Sequence, residues 1–143
     1  MIVSLNGVMI SDQDSSISIY DRGFTLGDGI FETIRAENHE PKFFDHHMLR
    51  MRKSAKFLNI PFNITNAAIY KTITELMNVN QLQSAVIRIT LSRGKGTRGL
   101  VPPTHQSPTL LLTSVQLATN TAPANVIISK KTRRNECSPL SRI

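Results

Sequence analysis

The most informative part of this sequence is the stretch Tyr20-Asp-Arg-Gly-Phe-Thr-Leu-Gly-Asp-Gly-Ile-Phe-Glu-Thr-Ile-Arg35. Glycine and aspartate are concentrated in residues 21–29, which predicts turns. Residues 30–36 then predict a β-strand, because β-branched and aromatic side chains favour extended backbone. Strand alternation would place Phe31 and Thr33 on one face of this strand and Glu32 on the other.

Strand and helix patterns continue on both sides of this stretch. Asn6-Gly7 separates two short apolar runs and predicts a β-hairpin. Two helices are predicted, one over residues 45–59 with Asp45 as its N-cap and one from Thr65 to Met77. The predicted strands are residues 2–5, 8–10, 30–36, 84–92, 109–117 and 126–129. This order of strands, helices and strands predicts an α/β fold of the α+β kind rather than βαβ winding.

The composition points to small anionic partners rather than nucleic acid. The formal net charge is +7, which favours anions. The densest basic run, residues 130–134, has no interleaved aromatic residues, and the chain has no tryptophan, so a nucleic-acid surface is not expected. Arginine suits carboxylate or phosphate groups of a small substrate equally well.

Three classes of feature are not expected from this sequence. No long apolar run or signal-peptide pattern is present, so no membrane partner is predicted. The histidines and the one cysteine, Cys137, lack zinc-ligand spacing, so no metal site is predicted. A single cysteine forms no internal disulfide and favours a cytoplasmic location.

The segment Arg93-Gly-Lys-Gly-Thr-Arg-Gly99 follows a predicted strand directly. Glycine lets the backbone approach a ligand closely, and arginine binds carboxylates through two parallel hydrogen bonds. The segment is therefore either a carboxylate-binding loop or a tight surface loop with solvated charges.

Three motifs in this order resemble the fold-type IV enzymes that depend on pyridoxal 5'-phosphate (PLP). This group comprises aminodeoxychorismate lyase and the branched-chain and D-amino-acid transaminases. The first motif is residues 20–35, the second is His47-Met-Leu-Arg-Met51, and the third is the loop from Arg93 to Gly99. Their spacing and order are similar to the group's pattern across almost the whole chain.

The resemblance implies roles for individual residues. Arg50 would bind the PLP phosphate, and Arg98 would bind a substrate carboxylate. Arg93 would either be a second carboxylate ligand or only order the loop. Phe31 would form part of the pocket wall. Thr33 would be a catalytic residue whose hydroxyl positions a proton or a water, although strand propensity alone also accounts for a threonine there.

The resemblance also implies a two-domain enzyme, usually a homodimer, with PLP between the domains. Residues 1–117 would be the small N-terminal domain, residues 118–124 a linker, and residues 125–143 the first strand and segment of the larger PLP-binding domain. The PLP-binding lysine is expected immediately after Ile143. The chain would then be a fragment, or its sequence would be interrupted at a lysine that holds the cofactor covalently; we favour the second interpretation.

The favoured activity is that of an aminodeoxychorismate lyase, which forms 4-aminobenzoate and pyruvate in folate biosynthesis. Thr33 supports it, because branched-chain transaminases tend to have glycine at this position and lyase-like members more often have threonine. Leu100 weakens it, because some lyases have an aromatic residue there. The first alternative is a branched-chain or D-amino-acid transaminase. The second is a non-catalytic basic domain with salt-sensitive binding to polyanions.

Overall fold

The computed structural model describes residues 1–118 and 123–132. Its strands and helices are β1 (Ile2–Leu5), β2 (Val8–Ser11), α1 (Arg22–Leu26), β3 (Gly29–Glu37), β4 (Glu40–Pro41), α2 (Phe44–Phe57), α3 (Asn66–Val79), β5 (Ser84–Ser92) and β6 (Thr109–Gln116). The strands form one six-stranded antiparallel sheet in the order β2-β1-β6-β5-β3-β4. The predicted α/β fold of the α+β kind is confirmed, and its sheet is antiparallel.

The first hairpin forms where Asn6-Gly7 predicts it. Asn6 has φ 52° and Gly7 has φ 86°, and a two-residue hairpin turn of the primed type requires positive φ at both positions. The turn is also tied to the sheet, because Leu110 N donates to Asn6 Oδ1 at 2.9 Å and Asn6 N donates to the Leu110 carbonyl at 2.8 Å. The hairpin is thereby joined to β6.

Helices α2 and α3 cover one face of the sheet and form the core with it. Helix α2 packs on β3, and α3 packs on β1 and β6. Alternate strand residues, such as Ile34 and Ala36 on β3, are fully buried between the layers. On the opposite face Phe31, Thr33 and Arg35 are exposed. Glu32 therefore lies on the core side of β3, as alternation predicts.

The two helices begin differently. Thr65 caps α3 as predicted, since its side chain accepts a hydrogen bond from Ala68 N at 3.2 Å. The prediction that Asp45 caps α2 is wrong: the N-cap is Phe43, with φ 54° and no side-chain hydrogen bond to the helix. The chain enters α2 through this left-handed residue, which places Asp45 inside the first turn, where its negative charge favours the helix N-terminus.

The strand expected over residues 126–129 is not formed. Val126, Ile127 and Ile128 are 84%, 95% and 93% exposed and have no regular secondary structure. A strand needs a neighbour for its backbone N–H and C=O groups, and none of the described residues pairs with this segment. Residues 119–122 of the expected linker and residues 133–143 lie outside the described residues, so the domain division remains a prediction. No helix within the described ranges is long and apolar enough to span a bilayer.

Candidate active site

Two carboxylates at the start of β3, Asp28 and Glu32, each pair with two basic side chains. The buried arginine cluster consists of Asp28 between Arg22 and Arg93, whose side chains are both 5% exposed. Arg22 Nε donates to Asp28 Oδ2 at 2.7 Å, and Arg93 donates through Nε and Nη2 at 2.8 and 3.0 Å. Burial raises the pKa of Asp28, but hydrogen bonds from Arg93 and Arg22 outweigh burial and hold it below its ordinary value. Asp28 is therefore an anion at neutral pH.

Arg93 uses its whole guanidinium group inside the protein. Besides Asp28, its Nη1 donates to the Asn59 carbonyl and to Gln106 Oε1, both at 2.9 Å. Its Nη2 also donates to the Leu58 carbonyl at 2.8 Å. An arginine has five N–H donors, so these bonds leave none for a substrate. This geometry favours the loop-ordering alternative for Arg93 over carboxylate binding.

Arg22 holds the backbone that follows Arg98. Its Nη1 donates to the Gly99 carbonyl at 3.1 Å, and its Nη2 donates to the Leu100 carbonyl at 2.9 Å. The aliphatic part of the same side chain packs on Gly96, where an added Cβ would lie 2.7 Å from Arg22 Cδ. The loop is thus fixed on both sides of Arg98 by one buried side chain.

The open carboxylate cluster consists of Glu32, His47 and Arg50. The Glu32 side chain is only 4% exposed, yet it lies at the edge of the core and faces α2. Arg50 donates to it through Nε at 2.6 Å and Nη2 at 2.5 Å, and His47 Nδ1 lies 2.7 Å from Glu32 Oε2. His47 and Arg50 are three residues apart on α2 and so share a helix face.

The electrostatics of the open carboxylate cluster favour the ion pair. Burial raises the pKa of Glu32, but hydrogen bonds from Arg50 and His47 outweigh it and set the pKa below its ordinary value. The hydrogen bond to Glu32 raises the pKa of Arg50. Unlike the arginines at Asp28, Arg50 is 61% exposed, and its Nη1 has no hydrogen-bond partner among residues 1–118 and 123–132.

A cavity of about 570 Å³ lies beside Arg50. Its lining includes Glu32, Arg50, Ser54 and Leu100 together with residues 26–31. This volume is within the ordinary range for small-molecule and cofactor sites. The free N–H groups of Arg50 Nη1 are suited to an anion, so the residues present fit a phosphorylated cofactor.

A second cavity, of about 550 Å³, borders the same start of β3 and is mostly apolar. Ile17, Ile19, Phe24 and Leu111 contribute to its wall. Phe31 lines both cavities. The guanidinium carbon of Arg88 lies 3.8 Å from the centre of the Phe31 ring, a cation–π contact that restrains the ring.

Thr33 and Arg98 line neither of these cavities. Thr33 is exposed on the same sheet face as Phe31 and pairs with Arg88 across β3 and β5. Arg98 is exposed in a shallow recess formed by residues 97–105, and it has no hydrogen-bond partner within the described part of the chain. Among the sequence-predicted residues, the structure brings only Phe31 and Arg50 to one cavity.

Sequence reasoning missed Glu32 and His47 as site residues. An acid on the core-facing side of a strand, in line with Ile34, was the available signal, because an isolated buried carboxylate requires a partner. His47 one turn before Arg50 could then have been paired with it. Within the described ranges, no group of three or more histidine, cysteine or acidic residues is placed to hold a metal ion.

The sequence of this chain matches a known protein family. A family model described as amino-transferase class IV matches residues 29–143. Aminodeoxychorismate lyase of Bacillus subtilis (strain 168) is 29% identical over 124 residues, covering 85% of this chain and 42% of that protein. D-alanine aminotransferase of Bacillus licheniformis is 32% identical over 98 residues, covering 68% of this chain and 35% of that protein.

Solved structures share the fold. The branched-chain amino acid aminotransferase of Escherichia coli superposes with a TM-score of 0.75 at 23% identity, covering 81% of this chain and 41% of that one. The chain spans about two fifths of the length of the first curated relatives it matches, 41% and 42%.

Proposed function

This chain belongs to the class IV aminotransferase family, whose members depend on PLP, and from that premise we propose that its protein is a PLP-dependent aminodeoxychorismate lyase. The observation that supports the cofactor is Arg50, which Glu32 fixes beside a cavity of cofactor size and whose Nη1 has no partner within the described part of the chain. In this proposal Arg50 binds the phosphate. When bound, PLP supplies an electron sink for charge that develops at the substrate α-carbon.

The remaining roles concern the substrate. Arg98 binds a substrate carboxylate, for which its exposed guanidinium is suited. Arg93 does not touch the substrate and orders the loop that presents Arg98. Phe31 excludes water from the pocket. The Thr33 hydroxyl positions a proton or a water near the α-carbon.

Lyase activity is favoured over transamination because position 33 is a threonine. The second candidate is a branched-chain or D-amino-acid transaminase, and the 32% identity to a D-alanine aminotransferase favours it. The non-catalytic basic domain has no support from the family membership. A homodimer in the cytoplasm completes the proposal.

The first experiment is intact mass spectrometry of the purified native protein after borohydride reduction. Reduction fixes PLP to its lysine, so we expect a mass increase of one reduced cofactor. A protein without any adduct would contradict the proposal. Lyase and transaminase are then separated by incubating the PLP form with D-alanine or leucine: a transaminase converts the cofactor to its amine form, whereas a lyase forms 4-aminobenzoate and pyruvate from aminodeoxychorismate.

The role of Thr33 is tested by two matched substitutions. Thr33→Val keeps the branched shape that suits the strand and removes the hydroxyl, whereas Thr33→Ser keeps the hydroxyl. If the hydroxyl positions a proton, kcat falls by on the order of 10²-fold in the valine variant, the lower end for proton-transfer groups, and much less in the serine variant. If both variants keep the kcat of the wild type, the hydroxyl has no catalytic role, and strand propensity alone accounts for a threonine at position 33.

A further inference from the structure

We infer that Glu32 is a positioning residue for cofactor binding: it holds the Arg50 guanidinium by two nitrogens and thereby aims the third, Nη1, at the phosphate. The inference rests on the proposed function, in which Arg50 binds that phosphate. Nothing in the resemblance assigns a role to Glu32. The two contacts, 2.6 Å to Nε and 2.5 Å to Nη2, engage one edge of a planar group. Fixing one edge of a plane fixes the direction of the remaining nitrogen.

The Glu32 side chain is itself held in a fixed position. The residue lies on β3, which pairs with β5 over the full length of both strands, and its side chain is 4% exposed. His47 Nδ1 contacts the same carboxylate at 2.7 Å and restrains it from a second direction. Among the described residues the carboxylate thus has three polar contacts, all from one face of α2.

Arg50 needs such a support because most of its side chain is in solvent. An arginine that is 61% exposed has many accessible rotamers, and ordering them opposes ligand binding. A guanidinium that is already oriented loses less freedom when it binds an anion. Glu32 therefore lowers the entropic cost of phosphate binding.

Charge alone predicts the opposite effect, which makes the inference testable. Glu32 is anionic, since its pKa lies below the ordinary value owing to Arg50 and His47 despite burial. An anion close to a phosphate repels it, so a purely electrostatic account predicts that Glu32→Gln binds phosphate more tightly. The positioning account predicts weaker binding. The sign of the change distinguishes them.

The experiment compares PLP with pyridoxal, which lacks the phosphate, by equilibrium absorbance titration of the cofactor-free native protein. The measured quantity is the ratio of the two dissociation constants. We expect Glu32→Gln and Glu32→Asp to reduce the preference for PLP by roughly tenfold, about the loss of one charge-assisted hydrogen bond, with pyridoxal affinity unchanged. Glu32→Asp keeps the charge, so it serves if the glutamine variant does not fold.

The matched control is Glu37→Gln, the same chemical change on the same strand. Glu37 pairs with Arg35, which is 63% exposed, and neither residue lines the cavity beside Arg50. We expect no change in the ratio for this variant. An unchanged or increased preference for PLP in both Glu32 variants would overturn the inference. A wild-type protein without any preference for PLP over pyridoxal would instead overturn the proposed role of Arg50.

Discussion

Asp28 and Glu32 lie four positions apart on one short stretch, and each holds two basic side chains, yet the two clusters are built for different tasks. In the buried arginine cluster both arginines are 5% exposed and are hydrogen-bonded to backbone carbonyls as well as to Asp28. In the open carboxylate cluster Arg50 is 61% exposed, and its hydrogen bonds among the described residues go to side chains. An arginine whose nitrogens are all hydrogen-bonded within the protein stabilises the fold. An arginine with one nitrogen left to solvent can bind a ligand.

The difference is also one of free energy. Removing charges from water is unfavourable, so a buried ion pair is stable only when every donor and acceptor is satisfied. Every guanidinium nitrogen of Arg22 and Arg93 has a hydrogen-bond partner, either Asp28 or groups of the surrounding loops. Arg50 remains hydrated, so its pairing with Glu32 contributes less to stability. The clusters should therefore respond unequally to the same substitution.

The largest expected effect is that of Asp28→Asn. This variant leaves two buried guanidinium groups without their anion, and breaking a buried pair in this way destabilises by about 3–5 kcal/mol. The free energy of unfolding is measured by urea denaturation followed by circular dichroism.

The matched control for Asp28→Asn is Asp14→Asn, because Asp14 is exposed and its side chain has no hydrogen bond among the described residues. Surface changes of this kind remain within about 0.5 kcal/mol. If Asp28→Asn behaves like the control, the two clusters do not differ as the structure implies.

A smaller effect is expected for Glu32→Gln. The variant loses charge-assisted hydrogen bonds to Arg50 and His47, worth about 1.5–3 kcal/mol in a typical protein, but Arg50 is free to turn to water. The loss should lie at or below the lower end of that range, measured by the same denaturation. Its control is Glu37→Gln, for which an exposed pair predicts a loss of about 0–1 kcal/mol. If Glu32→Gln lowers the free energy of unfolding as much as Asp28→Asn does, the two clusters contribute equally to stability, and the proposed difference between them is contradicted.

The smallest expected effect is the pH dependence of the stability that Glu32 contributes. Because the folded pKa of Glu32 is below its ordinary value, its contribution to stability is present above the unfolded pKa, about 4.3, and disappears as pH falls through the folded pKa. The gap in unfolding free energy between the wild type and Glu32→Gln should therefore be widest near neutral pH and narrow in acid. A gap that stays constant down to about pH 3, below that unfolded value, would contradict the lowered pKa.

Local sequence patterns predicted both long helices and most of the strands, but not the two clusters. β-Branched and aromatic side chains predicted β3, and alternation predicted the face on which Glu32 lies. The pairing of Glu32 with Arg50 depends on how far α2 is shifted along β3, which no local pattern encodes. The cap at Phe43 is a matter of backbone dihedral angle, and the strand over residues 126–129 requires a partner. Each of these depends on tertiary contacts.

The contact between Gly96 and Arg22 has an evolutionary consequence. The arginine stem fills the space that any side chain at position 96 would need, with Cδ only 2.7 Å from an added Cβ. A larger residue at position 96 would therefore force the Arg22 side chain or the loop to move, and replacing Arg22 would lose the carbonyl contacts that hold Gly99 and Leu100. Substitutions at the two positions should therefore be correlated among descendants of this sequence.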